Sequence, residues 1–223
     1  MIPVLANAAY DYFSHGGPVM WPIAVVALIM VAVIVERCVF WLLLRKRREP
    51  EVLEKTLAAM ENQDFTAAVN HAKGCEDPIV RTMYHGLTHV HGSLQGALQV
   101  AAGTEIKRAG RFMVLIDTCI TLAPLLGLLG TVTGIMKAFK EVTGDLGVQA
   151  VSAGIGEALI ATAAGLAIAI AGVFFLNWFN ELIESLKFDL ETAATNVDVM
   201  VTKAKQEGFD TMTFRRENSA ILS

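Results

Sequence analysis

The residue whose chemistry stands out in this sequence is Glu157, which comes immediately before 23 residues that contain no Lys, Arg, Asp or Glu. An ionisable side chain at the centre of a membrane span costs at least about 2.5–3.5 kcal/mol on insertion scales. Such residues usually face a cavity or a partner and mark an ion path. A carboxyl that water reaches only intermittently could exchange a proton there. The alternative is a purely structural hydrogen bond between helices.

Two hydroxyl groups are expected near Glu157. If the second and third apolar segments have midpoints near residues 125 and 163, Thr131 and Glu157 each lie six residues outward of a midpoint. At 1.5 Å per residue, both would lie roughly 9 Å from the midplane. Thr162 lies near the middle of the third segment. We therefore predict that Thr131, Glu157 and Thr162 line an ion path on facing helices.

Asp117 is a second acid, near the inner edge of the second apolar segment. We predict a secondary polar site here, with contact to water, to Arg111 or to a neighbouring chain as the alternatives. Glu36 and Arg37 are adjacent, and adjacent side chains do not face each other on a helix. We therefore expect their charged groups to extend separately towards the membrane surface.

Other kinds of chemistry have little support in the sequence. His85, His89 and His91 are expected to be solvated, because no acid or thiol completes a four-ligand metal site in helical register. Hydrolysis would need a nucleophile and base, a metal pair or a second acid beside Glu157, and no such motif occurs. Cys75 is expected to be inert. The sequence therefore predicts no enzyme, no metal and no cofactor, only a transported ion.

Three charge-free segments are long enough to cross a membrane. The first contains 24 residues and follows Asp11. The second contains 19 and follows Asp117, and the third contains 23 and follows Glu157. A bilayer core requires about 20 apolar residues as a helix. Because a span must satisfy its own backbone hydrogen bonds in lipid, all three should be helical. The predicted membrane helices are residues 19–44, 113–137 and 149–177.

The composition agrees with a membrane protein. Of the 223 residues, 54% are hydrophobic and 18% are charged, and the mean hydropathy is +0.50. Soluble globular proteins have roughly 45–50% apolar and about 25% charged residues. A net charge of −4 gives no reason to expect nucleic-acid binding. The predicted fold class is an all-α membrane protein with three transmembrane helices, extended by cytoplasmic helices.

The positions of Lys and Arg predict the orientation of the chain. Residues 1–18 contain neither, whereas Arg45–Arg48 directly follow the first predicted span. The N-terminus is therefore expected outside and the C-terminus in the cytoplasm. The predicted external parts are residues 1–18 and the turn 138–148, and the predicted cytoplasmic parts are residues 45–112 and the C-terminal helix and tail 178–223.

The first cytoplasmic segment has the start signals of several short helices. Asp64 is placed to cap a helix over Phe65–Ala72, and Pro78 to begin one over Ile79–Val90. Ser93 is placed to cap a long helix that we expect to continue without a break into the second span.

The second and third spans are rich in small residues at i, i+4 spacing, whereas Val, Ile, Leu and Met fill the first. Small residues allow helix backbones to approach closely in lipid. Spans two and three are therefore expected to pack together and against copies of themselves, with span one outside. The predicted packing residues are Ala123, Pro124, Gly127, Gly130, Gly134, Gly154, Ala158, Ala161 and Gly165.

Two of these segments resemble the signatures of a known family. Residues 123–132, APLLGLLGTV, and residues 156–166, GEALIATAAGL, are similar to the second and third spans of the MotA/TolQ/ExbB proton channel family. Residues 16–22, GGPVMWP, look like the opening of an ExbB-type first span. The resemblance covers most of residues 16–180. The third span departs from the family pattern at residues 169–172, where a proline is absent.

The resemblance has implications for assembly and function. It implies a pentameric ring in the bacterial inner membrane, around the single spans of an ExbD- or TolR-like partner. The proton-motive force would move one ring against the other, and a TonB- or TolA-like transducer would carry that motion to the outer membrane. Thr131, Glu157 and Thr162 match the family's polar pore residues. Three spans favour an ExbB- or TolQ-type protein over a flagellar MotA.

Several alternatives stay open from the sequence. ExbB is the favoured branch, and a TolQ-like subunit of the Tol-Pal system is the alternative. A passive membrane scaffold that only gathers partner helices is a further alternative. The transported ion is expected to be H⁺, with Na⁺ not excluded.

Overall fold

A computed structural model describes residues 16–89, 93–141 and 147–208. At residues 141 and 147–153 it describes the backbone alone. Within these ranges all regular secondary structure is helical, which confirms the all-α prediction. The helices are α1 (Met20–Lys46), α2 (Pro50–Glu61), α3 (Phe65–Ala72), α4 (Pro78–Thr88), α5 (Leu94–Ala109), α6 (Met113–Glu141) and α7 (Gly147–Gln206).

Parts of several predictions lie outside the described residues. These are most of the external N-terminal segment, the centre of the external turn, His91 and the end of the tail. Within the described ranges, three helical stretches are long and apolar enough to cross a membrane, namely Met20–Lys46, Leu94–Lys140 and Gly154–Gln206. Three membrane helices are therefore confirmed by length and composition. The side of the membrane on which each end lies stays a prediction.

The chain divides into two compact units, which we call unit one and unit two. Unit one contains residues 1–38 and 112–179, and unit two contains residues 39–111 and 180–223. Helices α1 and α7 each contribute residues to both units. Unit one therefore contains the apolar parts of α1 and α7 together with α6, and unit two contains the short helices.

Helix α1 packs one face against the rest of unit one. Met20, Ile23 and Met30 are buried, whereas Leu28 on the opposite face is 73% exposed. A methyl group on Gly172 would lie 2.8 Å from the Met30 sulfur. One face of α1 therefore packs within unit one, and the position of span one outside the packed copies stays a prediction.

The short helices of unit two begin as the sequence predicts. The Asp64 carboxylate accepts a hydrogen bond from the Ala67 amide at 2.9 Å, which caps α3.

Helix α4 begins at Pro78, as predicted, but ends at Thr88. Asp77, which the sequence analysis did not single out, is 1% exposed and accepts from the amides of Ile79 and Glu49. This buried carboxylate caps α4 and ties it to the start of α2.

Large apolar side chains from α2 to α5 and from the last part of α7 form the core of unit two. The buried members include Met60, Phe65, Met83, Leu87, Leu98 and Leu190. Two ion pairs lie at the edge of this core, Arg48 with Asp189 at 2.9 Å and Arg47 with Glu76 at 3.2 Å. Burial of apolar area is the main stabilising contribution here.

The predicted continuous helix from Ser93 into the second span is wrong. Ser93 does cap α5, because its hydroxyl oxygen accepts from the Gly96 amide at 3.1 Å. The helix then ends at Ala109, and Phe112 has a φ of 68°. A non-glycine residue with positive φ cannot continue a right-handed helix. The sequence signal at this point was Gly110, a common residue at helix C-termini.

The prediction that Glu36 and Arg37 do not meet is also wrong. Arg37 donates from Nε to a Glu36 carboxylate oxygen at 2.5 Å and from Nη2 to the other oxygen at 2.6 Å. Arg37 is only 2% exposed, and its guanidinium lies 5.7 Å from the Phe112 ring centroid. A buried charge needs a partner, and the long arginine side chain can curl back to its neighbour.

Candidate functional site

Helices α6 and α7 of unit one approach closely where their small residues meet. A methyl group on Gly127 would lie 2.9 Å from the Thr162 Cα and 3.2 Å from the Ala161 carbonyl oxygen. A methyl group on Gly165 would collide with the carbonyl oxygen of Ala123. Only hydrogen atoms fit between the two backbones at these points, as in other closely packed membrane helices.

The same pattern continues towards the other end of the helix pair. A methyl group on Gly130 would lie 2.7 Å from the Ala161 Cβ, and one on Gly134 would lie 3.0 Å from the Ala158 Cβ. Gly154 lies against Ala138 in the same way, at 2.8 Å. The contacts advance along α6 as they go back along α7, so the helices are antiparallel. The structure thus brings the predicted packing residues of the two spans together, and Pro124 lies within α6 among them.

Thr162 connects the two helices by a hydrogen bond. Its hydroxyl group donates to the Gly127 carbonyl oxygen at 2.9 Å and lies 3.2 Å from the Ala158 carbonyl oxygen of its own helix. The absence of a side chain on Gly127 makes this approach possible. Thr162 therefore has a structural role in the helix pair, in addition to its predicted position in an ion path.

Glu157 lies one helical turn from the level predicted for it. Gly130 is opposite Ala161 and Gly134 is opposite Ala158, so Thr131 and Glu157 lie about one turn, roughly 5 Å, apart along the helix pair. The expectation that Thr131 and Glu157 share one depth is therefore wrong. The small residues set the register of α6 on α7, and span midpoints estimated from charge-free segments do not reproduce it.

The hydroxyl group of Thr131 is occupied on its own helix. It donates to the Leu128 carbonyl oxygen at 2.7 Å. Among the described residues, the structure records no hydrogen bond that joins Thr131, Glu157 and Thr162 to one another. The three predicted pore residues are thus distributed along the helix pair and do not form one cluster.

The carboxylate of Glu157 has two neighbours that the sequence analysis missed. The Lys137 Nζ lies 3.5 Å from a Glu157 carboxylate oxygen, and the two side chains are 59% and 21% exposed. Gly17 also lies against the carboxylate. A methyl group there would lie 2.5 Å from the Glu157 Cδ and would overlap a carboxylate oxygen. Glu157 is thus a half-buried acid in contact with an ammonium group and with a glycine backbone.

Gly17 has a second reason to be glycine. Its φ of 71° lies in the left-handed region, which side chains other than glycine rarely adopt. Its carbonyl oxygen accepts from the Met20 amide at 3.1 Å, in the turn that begins α1. The sequence signal for Gly17 was the Gly-Gly-Pro start of the first span. For Lys137, the sequence signal was a long basic side chain near the C-terminal end of α6, which can reach back along the helix.

Asp117 stands apart from this arrangement. Its side chain is exposed on the first turns of α6, and its backbone carbonyl oxygen accepts from the Thr121 hydroxyl group at 3.1 Å. The structure does not bring Asp117 together with Glu157.

Within the described part of the chain, no three His, Cys, Asp or Glu side chains converge in a way that could hold a metal ion. His85 and His89 instead line a cavity in unit two. Burial raises the pKa of the Cys75 thiol, with a smaller contribution from the nearby Glu49 carboxylate, so this thiol stays protonated. A protonated thiol is a poor nucleophile.

Comparison with known proteins places this helix pair in a family. Residues 71–192 match the MotA/TolQ/ExbB proton channel family. The chain is 33% identical to the biopolymer transport protein ExbB-like 3 of Synechocystis sp. over 175 residues, which cover 75% of this chain and 82% of that protein.

Two further relatives match over a shorter region. The chain is 42% identical to the biopolymer transport protein ExbB of Xanthomonas campestris over 97 residues, 42% of this chain and 38% of that protein. It is 37% identical to the Tol-Pal system protein TolQ of Haemophilus influenzae over 95 residues, 42% of each chain. The chain thus matches less than half the length of these two relatives. Since the family match covers more than half of the chain and includes all of α6 and the Glu157 region of α7, this chain belongs to the MotA/TolQ/ExbB proton channel family.

Proposed function

We propose that this chain is a proton-channel subunit of an inner-membrane motor. With an ExbD-like single-span partner, it would use the proton-motive force to energise a TonB-like transducer for import across the outer membrane. Five copies would form a ring, with the N-terminus outside and the C-terminus in the cytoplasm. The transported ion would be H⁺, and no catalytic role or cofactor is part of the proposal.

One observation carries the proposal: a half-buried carboxylate lies on a pair of apolar helices that are packed backbone to backbone. Glu157 is 21% exposed, so most of the side chain is shielded by the chain itself. Intramembrane acids are costly and usually mark an ion path. The tightly packed helices α6 and α7 would form a rigid wall on which this acid is held in a fixed position.

Lys137 would hold the resting state of this site. The Lys137 ammonium group lies 3.5 Å from the Glu157 carboxylate. In the proposed cycle this ion pair opens before Glu157 accepts a proton. Because the Lys137 side chain is long and 59% exposed, it can move into water without a backbone change. In the proposed cycle, the partner helix would displace Lys137 and Glu157 would then accept a proton.

A TolQ-like role is the second candidate, and the TolQ relative from Haemophilus influenzae supports it. In that case the transducer would be TolA-like and the partner TolR-like. The chemistry at Glu157 would be the same in both branches. Expression in a strain that lacks ExbB and in a strain that lacks TolQ would separate the two branches, because only one defect should be relieved.

A passive scaffold is the remaining alternative for this helix pair. It would need the same small-residue contacts between α6 and α7, but it would not need an ionisable group. The Glu157 carboxylate therefore separates the two proposals. A scaffold tolerates its replacement by an amide of the same shape, whereas a proton carrier does not.

The test of the proposal is Glu157→Gln in a bacterial strain that lacks its own ExbB and TolQ. The amide keeps the shape of the side chain but cannot carry a proton, so we expect transport to fall to background while insertion and assembly stay normal. The measurements are energy-dependent uptake by cells and co-purification of the partner. Proton flux into liposomes that contain the purified complex measures the same step directly.

Glu184→Gln is the matched control, because Glu184 is an exposed glutamate on the same helix. It should leave transport unchanged. Lys137→Gln removes the ion pair but keeps the acid, so transport should persist. Full transport in Glu157→Gln with a normal complex would contradict the proposal and favour the scaffold.

A further inference from the structure

A cavity of about 620 Å³ lies between α4 and α5 in unit two, and the proposed ion path does not use it. Arg81, His85 and His89 line it from the α4 side, and Glu105 and Arg108 line it from the last turns of α5. Ala97 and Val100 form part of an apolar wall between them. The cavity therefore combines cationic or titratable groups with an apolar surface.

The lining contains two guanidinium groups and one carboxylate. Arg81 donates to both Glu105 oxygens, from Nε at 3.1 Å and from Nη2 at 2.6 Å. Arg108 lies 3.5 Å from one of the same oxygens through its Nη1. Glu105 is nearly buried and Arg108 is 58% exposed. One carboxylate thus faces two fixed positive charges, and the lining as a whole has an excess of positive charge.

The two histidines add donors to the same face. Arg81, His85 and His89 follow one another at intervals of four residues, which places them on one side of α4. The His89 Nδ1 lies 2.9 Å from the His85 carbonyl oxygen. The Thr88 hydroxyl oxygen also lies 3.1 Å from this Nδ1. An imidazole nitrogen that carries a hydrogen can donate to an anion.

We propose that this cavity binds a phosphate-bearing anion, with Arg108, His85 and His89 as its ligands. Arg81 would remain on Glu105 and hold the cavity open. Guanidinium groups bind phosphate oxygens through charge-assisted hydrogen bonds. The proposal is independent of the proposed ion path, because all of the residues that carry it belong to unit two.

Two sources of phosphate fit this chemistry. One is a free phosphate or phosphate ester. The other is the headgroup of an anionic phospholipid, whose acyl chain could follow the apolar wall at Val100. Arg108 is five positions before Met113, the first residue of the membrane helix α6, and basic pockets near the cytoplasmic ends of spans bind such headgroups.

The experiment measures the thermal stability of the full-length protein in nanodiscs, since a ligand of the folded state raises the melting temperature. One arm adds inorganic phosphate to phosphatidylcholine nanodiscs at constant ionic strength. The other arm exchanges about a third of the lipid for phosphatidylglycerol without added phosphate. The variants are Arg108→Gln and the double variant His85→Gln/His89→Gln. The matched controls are Lys73→Gln and His71→Gln, which change exposed side chains that do not line the cavity.

We expect stabilisation in at least one arm, with the apparent affinity at least fivefold weaker in Arg108→Gln and in the double variant and unchanged in the controls. The arm that responds identifies the source. Stabilisation that is equal in the variants and the natural protein, or absent in both arms, would overturn the proposal.

Discussion

The two units of this protein are held together by different means. In unit one, α6 and α7 meet through glycine and alanine, and the backbones themselves are in contact at Gly127 and Gly165. In unit two, large side chains such as Phe65, Leu87 and Leu98 fill the space between the helices. The apolar cores therefore differ in the size of their side chains, although all regular secondary structure in the described parts of both units is helical.

The difference follows from the solvent around each unit. Water drives apolar side chains together, so a core of large residues is stabilising in unit two. Lipid tails are as apolar as leucine, so membrane helices gain little from burying large side chains and depend on close packing instead. Many large apolar residues of unit one accordingly lie on its surface, as Leu28, Ile170 and Phe174 do. A polar group such as Glu157 can then be held precisely in place, because the helices beside it cannot slide without a clash.

The largest change in stability is expected in unit two, from Leu87→Ala. Leu87 is 1% exposed and lies in the large-residue core. Truncation of a buried leucine usually costs about 2–5 kcal/mol of unfolding free energy. Thermal unfolding of the whole protein in detergent would measure this loss. Val100→Ala, at a residue that is 72% exposed, should change the stability by less than about 0.5 kcal/mol. Equal losses in the two variants would show that unit two is not held by its core.

An intermediate effect is expected in unit one, from Gly165→Ala. The added methyl group would collide with the Ala123 carbonyl oxygen, so α6 and α7 must separate. Overpacking of this kind costs roughly 1–3 kcal/mol. Gly156→Ala, on the same helix, meets nothing within 4 Å and should be neutral or slightly stabilising, because alanine favours helix by about 1 kcal/mol over glycine. The two melting temperatures should move in opposite directions, and a similar fall in both would refute close packing at Gly165.

The smallest effect is expected from Asp64→Ala, which removes the cap of α3 in unit two. Loss of the hydrogen bond to the Ala67 amide should cost about 1 kcal/mol. Asp64→Asn keeps an oxygen acceptor at the same position and should restore most of the stability. The difference in melting temperature between these two variants separates the contribution of the capping hydrogen bond from that of the negative charge of Asp64. If the asparagine variant is as unstable as the alanine variant, the charge of Asp64 matters and the cap does not.

Local signals were sufficient for much of the fold. The charge-free segments located the three long apolar helices, and Asp64, Pro78 and Ser93 marked helix starts where the structure has them. These features depend only on neighbours in the sequence. The small residues of spans two and three also indicated which helices would meet.

The remaining features depend on contacts between distant segments. Nothing in the local sequence reveals that Lys137 and Gly17 both lie against Glu157. The register of α6 on α7 is set by contacts between specific small residues. The position of Thr131 relative to Glu157, when estimated from span midpoints, was therefore wrong by about one helical turn. Similarly, the interruption between α5 and α6 requires a strained backbone conformation at Phe112. Helix propensity alone does not predict this conformation, nor the position of Phe112 beside the buried Arg37.

The contact between Gly17 and Glu157 has a genetic consequence. Any single-nucleotide change that alters a glycine codon introduces a residue with a Cβ, or a stop. At position 17 such an atom would enter the volume of the Glu157 carboxylate and would also oppose the positive φ of the turn. The acid therefore restricts which residues can evolve in a segment far away in the sequence. A shorter acid at position 157 would relieve the overlap with a Cβ at position 17, but the positive φ would still favour glycine there. The effect of a substitution at one of these two positions is therefore expected to depend on the residue at the other.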